Sequence, residues 1–78
     1  MLARVLSGRS DANIRFRDLR SLLRRLGFEE RVRGGHHIFV REDVDELINL
    51  QRGGSKAKPY QVRQVRAVLL KYGIGAED

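Results

Sequence analysis

Apolar side chains recur at three- and four-residue intervals in the stretch holding Phe16, Leu19, Leu22, Leu23 and Leu26. That spacing lays them along one face of a helix, predicted over residues 17–26. Asp18 falls in its first turn and Arg24 and Arg25 in its last, where the helix dipole favours each sign. Gly27 follows as a C-cap. Past Gly27 the period shortens to two. Phe28, Glu30 and Val32 alternate with Glu29 and Arg31, which predicts a short strand over 28–32. Arg33-Gly34-Gly35 is turn chemistry between strand-like runs, as in a hairpin. Residues 36–41 are the second strand, and Glu42-Asp43 a second turn. Residues 44–51 read as a third strand. Val44, Leu47 and Ile48 also fit helical spacing, but the segment is short and lies between loops, which favours the strand. Residues 52–58 form a basic, glycine-bearing loop. Pro59 opens a last helix, at the one place where its missing N–H costs nothing. Val62, Val65, Val68, Leu69 and Tyr72 are its buried face, and Gly73 its stop.

Ahead of this pattern, residues 1–14 form an extension. Leu2, Val5 and Leu6 make one apolar helical turn, and the run from Ser7 to Asn13 is a loop by composition. The order is helix, three antiparallel strands, helix. It predicts a two-layer α+β domain over 15–74 with both helices on one face of the sheet, a short N-terminal helical extension, and a loose tail at 75–78. Leu70 points away from the buried face of the last helix. Either the N-terminal segment covers it or a partner does.

Seventy-eight residues suffice for one domain with a small core. The absence of cysteine excludes disulfides and thiolate metal sites. No apolar run is long enough for a signal peptide or a membrane span, so the chain is expected to be soluble and cytoplasmic, with no membrane partner. Sixteen Lys and Arg against ten Asp and Glu give a net charge of +6. Such a balance points to a polyanionic partner, nucleic acid or an acidic protein.

The cations have places in this layout. Arg17, Arg20 and Arg24 share an arc of the first helix opposite the leucines, and Arg63 and Arg66 stand clear of the valines of the last. Lys56 and Lys58 precede the last helix, whose free N–H groups and dipole favour a phosphate. Of the aromatics, Phe16, Phe28, Phe39 and Tyr72 are wanted by the core and only Tyr60 is left over. Base stacking on a single strand is thus poorly supported, and recognition by shape and backbone contact fits better.

Both histidines lie side by side, His36 and His37, behind Gly34 and Gly35. Neighbours on a strand face opposite ways, so they cannot chelate one metal together, and no third ligand is near in sequence. No metal or other cofactor is expected. If Phe39 fills the core, His36 lies on the open side of the sheet; Ile38 and Val40 share its face and compete for the core role. A histidine titrates near neutrality. RNA carries its own nucleophile in the 2′-hydroxyl, so a positioned imidazole with cations around it could support cleavage. A structural histidine at a strand edge is the plainer alternative.

The string Gly34-Gly35-His36-His37-Ile38-Phe39 resembles the G-S/T-H-x-x-F/Y motif of the HicA-type (YcfA-like) toxins. Phe16-Arg17-Asp18-Leu19 through Leu26-Gly27-Phe28 resembles the opening of that family. Asn49-Leu50-Gln51 and the run from Lys56 to Arg66 resemble its closing segment, so the likeness spans about residues 15–74. It implies a fold like the double-stranded RNA-binding domain. It also implies an endoribonuclease acting on mRNA without metal, the toxin of a pair whose HicB-type antitoxin binds and inhibits it, in a hetero-oligomer. The motif histidine falls on His36, with His37 as secondary candidate. Lys56, Lys58, Arg63, Arg66, Gly34 and Gly35 are the expected RNA-contacting positions. Gly35 stands where the family pattern has Ser or Thr, which keeps a non-catalytic RNA-binding module of the same fold as the alternative.

Overall fold

The computed structural model describes residues 1–75; of the tail expected at 75–78, residues 76–78 lie outside them. The chain runs through α1 (Leu2–Ser7), a 3-10 turn (Asp11–Asn13), α2 (Phe16–Arg25), β1 (Glu29–Arg33), β2 (His36–Val40), β3 (Ile48–Gln51) and α3 (Pro59–Tyr72). The strands make one antiparallel sheet in the order β1-β2-β3. This is the α+β arrangement that the periodicity predicts.

Each element forms for a local reason. In α2 the leucine stripe is buried, with Phe16, Leu19, Leu22 and Leu23 turned inward. Gly27 then leaves the helix at φ 93°, a left-handed conformation that disfavours any Cβ. In α3 the Pro59 start and Gly73 stop both hold, and Val62, Val65, Val68 and Leu69 are buried. A two-residue turn of Gly34 and Gly35 joins β1 to β2, with Arg33 opposite His36 and Gly34 at φ 59°.

Alternation sorts the sheet. Phe39, Ile48 and Leu50 are buried among residues of both long helices. Ile38 and Val40, on the other face, are only half-buried. The core set is therefore the Phe39 side, and His36 lies on the open face, exposed.

The third strand is shorter than expected. Residues 44–47 are not part of it, because the chain turns at Arg41, whose carbonyl accepts from the Val44 N–H at 3.0 Å. The following residues are tied to the far end of α3 instead. Tyr72 Oη accepts from the Asp45 N–H at 3.1 Å and donates to Glu46, and Lys71 Nζ donates to Glu46 at 2.8 Å. These bonds hold the Glu46 carboxyl down at about 2, the Lys71 bond first and the Tyr72 bond next.

The N-terminal extension is packed, not appended. Val5 and Ile14 are fully buried. Asp11 takes both arms of the Arg66 guanidinium at 2.9 and 3.0 Å, and Arg66 also donates to the Val5 carbonyl at 3.1 Å. Even so, α1 does not reach Leu70, which stays 63% exposed.

Candidate active site

The head of β2 is where the chemistry-bearing residues gather. Because β2 and β3 are antiparallel, His36 pairs with Gln51, the last residue of β3. The chain continues through Arg52 and Gly53 to the start of α3. A Cβ on Gly53 would meet Lys58 Cε at 2.9 Å, so the lysine side chain lies across that glycine. Buried Gln61 fixes the join, donating from Nε2 to the Gln51 carbonyl at 3.0 Å and accepting from the Lys58 N–H at 3.4 Å.

The start of α2 is drawn to the same end. Arg15 and Lys56 form an isolated antiparallel bridge, framed by Phe16 N–H to the Ser55 carbonyl at 2.9 Å and Ala57 N–H to the Ile14 carbonyl at 2.8 Å. Lys56 Nζ donates to Asn13 Oδ1 at 3.2 Å. The positive ends of both long helices thus converge with Arg15, Arg52, Lys56 and Lys58 beside the histidines. Among the described residues no enclosed pocket is present.

The two histidines meet different surroundings. His36 sits in a transverse row on the open face, Arg33–His36–Gln51, next to the row Arg31–Ile38–Asn49. Its Nδ1 lies 3.2 Å from Asn49 Oδ1. His37 points to the helix side, in the row Val32–His37–Leu50. Its side chain is only 15% exposed, and its Nδ1 lies 2.8 Å from Glu30 Oε2. The ring meets Phe16 edge-on, with centroids 5.2 Å apart and planes at 73°. Arg52 also lies against that Phe16 ring, its guanidinium carbon 5.5 Å from the centroid. A histidine and an arginine therefore flank one aromatic ring.

Glu30 is the residue that sequence reasoning missed. Its side chain is 7% exposed on the helix-facing side of β1. Arg20 grips it as a fork, Nε donating to Oε2 at 2.6 Å and Nη2 to Oε1 at 3.1 Å, and Arg24 Nη1 stands 3.6 Å from Oε1. The Arg20 bond first, then the His37 bond, hold the Glu30 carboxyl below its ordinary range against the opposing effect of burial. A signal was present in the sequence. Glu30 alternates in phase with Phe28 and Val32, so an acid occupies a strand position whose neighbours are apolar.

The other expected cations divide. Lys56, Lys58 and Arg63 are exposed, the lysines at the histidine end. Arg66 is half-buried with its donors committed to Asp11 and Val5. The arc of Arg17, Arg20 and Arg24 is not a uniform solvated face, because Arg20 and Arg24 turn onto β1. Gly34 and Gly35 form the exposed turn before the histidines, and a Cβ on Gly35 would touch only Gln51 Nε2, at 3.9 Å. Among the described residues no group of three or more His, Cys, Asp or Glu could hold a metal ion, and no helix is long and apolar enough to cross a membrane.

A family model described as "HicA toxin of bacterial toxin-antitoxin" matches residues 16–73. Neither the curated proteins nor the solved structures gave a match at the significance applied.

Proposed function

Because the chain belongs to the HicA toxin family of bacterial toxin–antitoxin systems, we propose that it is an endoribonuclease that cleaves mRNA at the histidine end of its sheet. An imidazole at the head of β2 takes the proton of a 2′-hydroxyl. The freed oxygen attacks the adjacent phosphorus, a 2′,3′-cyclic phosphate forms, and the 5′-oxygen leaves with a proton from solvent or a second acid. The nucleophile is built into RNA, so the scheme needs no metal or cofactor. Arg52, Lys56 and Lys58 hold backbone phosphates, and Arg63 extends the positive field. The bare turn of Gly34 and Gly35 lets the strand approach closely.

The family pattern assigns the base to His36, whose ring is open to solvent and whose row supplies Arg33. His36 is the base of this proposal, and His37, packed against Glu30 on the helix side, is the second candidate. The observation that carries this reading is the exposed place of His36 on the open face, with its Nδ1 3.2 Å from Asn49 Oδ1. With Nδ1 donating to that amide oxygen, Nε2 is the nitrogen left to accept a proton. The partner is a HicB-type antitoxin that covers this surface in a hetero-oligomer. The sequence +6 charge suits both partners, RNA and an acidic inhibitor.

One observation favours a second reading. Gly35 offers no hydroxyl beside the histidines, which fits an RNA-binding module without cleavage. Cleavage of labelled mRNA in EDTA, by wild type, His36→Ala and His37→Ala of verified fold, separates these. Loss only in His36→Ala supports the assignment, and loss only in His37→Ala moves the base to the helix-facing side. RNA bound but uncut by wild type selects the binding module. In either case affinity falls with salt, by a log–log slope of roughly −0.7 per phosphate contact on a single strand.

A further inference from the structure

The ring of His36 has one side-chain hydrogen-bond partner among the described residues, Asn49, with Nδ1 3.2 Å from Oδ1. An amide oxygen only accepts, so Nδ1 is the protonated nitrogen of the neutral ring. The register of β3 supplies this partner. Ile48 and Leu50 are fully buried, and alternation between them turns Asn49 to the open face. Asparagine is a poor strand former, yet here it stands inside a four-residue strand. Gln51 lies directly opposite His36, but the bond runs to Asn49 on the diagonal. The strand is anchored, because buried Gln61 donates to the Gln51 carbonyl at 3.0 Å. The charged side chains of the sheet on that face are Arg33, Arg31 and Arg31's partner Glu29, all on β1. β3 brings only the amides of Asn49 and Gln51.

We propose that Asn49 is a positioning residue for RNA cleavage: its amide oxygen holds His36 in the Nδ1–H tautomer, so that Nε2 carries the lone pair that takes the 2′-hydroxyl proton. This rests on the endoribonuclease reading above. Asn49 acts through the ring. An exposed imidazole with no partner samples both tautomers and several orientations, and one oriented acceptor selects the productive state. Being neutral, the amide does this without setting a negative charge beside the base, unlike Glu30 beside His37.

The test combines ring-nitrogen resonances of the full-length 15N-labelled protein, at a pH where the imidazoles are neutral, with cleavage kinetics. In wild type, His36 shows protonated Nδ1 and bare Nε2. Asn49→Ala gives a mixture of tautomers and lowers kcat about 2- to 10-fold, the worth of one neutral hydrogen bond, with KM for RNA unchanged. Asn49→Asp keeps the acceptor and so the tautomer, but its charge moves the acid limb of the kcat profile about one unit higher in pH. A side chain serving only the fold moves neither the tautomer nor that limb. A wild-type His36 protonated on Nε2 overturns the proposal, and that spectrum decides even if a variant does not fold. An unchanged tautomer and kcat in folded Asn49→Ala, a raised KM with unchanged kcat, or an unmoved profile in Asn49→Asp also overturns it. RNA left uncut by wild type overturns the endoribonuclease reading and this role with it, whereas RNA cut equally by wild type and Asn49→Ala overturns this role alone.

Discussion

Two bidentate arginine–carboxylate pairs hold this molecule, one end-on through Nη1 and Nη2 of Arg66 and one side-on through Nε and Nη2 of Arg20, and they end differently. Arg66 grips Asp11 and spends a further donor on the Val5 carbonyl. The Asp11 carboxylate has no other side-chain partner among the described residues, so this fork is a latch that fastens the N-terminal segment to α3. Arg20 grips Glu30 with two bonds likewise, but the carboxylate goes on to hold His37. One pair closes on itself, and the other extends to an imidazole at the head of β2. The difference between them is the next atom along.

The largest effect expected lies beside the second pair, at the neighbouring histidine of β2. His36→Ala lowers the mRNA cleavage rate about 10²- to 10⁴-fold, read from single-turnover kinetics, whereas Asp11→Ala leaves that rate unchanged. Next comes Arg20→Ala, which strips the buried Glu30 of its main partner and destabilises the fold by about 1–3 kcal/mol in urea unfolding.

Acid separates the forks further. Both carboxyls are held below their ordinary values, Asp11 first by the Arg66 bond and Glu30 first by the Arg20 bond. The folded state therefore binds these protons less well than the unfolded chain. Glu30's contribution is fully present above its ordinary value of 4.5 and is lost as pH falls through the lowered folded value. Glu30→Gln flattens the acid limb of stability below that pH, and Asp11→Asn does so more weakly, because the Asp11 side chain is 16% exposed against 7% for Glu30 and solvent screens it more. Unfolding midpoints between pH 2 and 6, on an order-of-magnitude window around carboxylate titration, measure both slopes. The smallest change is Gly35→Ser. Its Cβ has room and its φ is not left-handed, so the midpoint stays put. Any rise in cleavage assigns the gain to the added hydroxyl.

Local chemistry made much of this fold readable. The leucine stripe, Gly27, the glycine pair and Pro59 each act within a few residues, and their elements form as the periodicity predicts. What failed depended on distant partners. Residues 44–47 leave the third strand because Glu46 and Asp45 are bound by Lys71 and Tyr72, contacts that no local window contains. Arg20 and Arg24 look like a solvated arc on a helical projection, which cannot show that β1 brings Glu30 beneath them. At the site the sequence revealed the histidine pair and the basic loop. It could not say which histidine meets a carboxylate, because that follows from strand register.

The buried positions of Val5 and Ile14 bear on how this protein can be handled. The family match begins at Phe16, yet a chain cut there would lose two fully buried side chains and the Ile14 carbonyl that receives the Ala57 N–H. It would also free Arg66 and detach the segment before α2 from the loop that carries Lys56. The boundary of shared ancestry and the boundary of the cooperative folding unit are different places in this chain, and a minimal version designed from the first would begin inside the second.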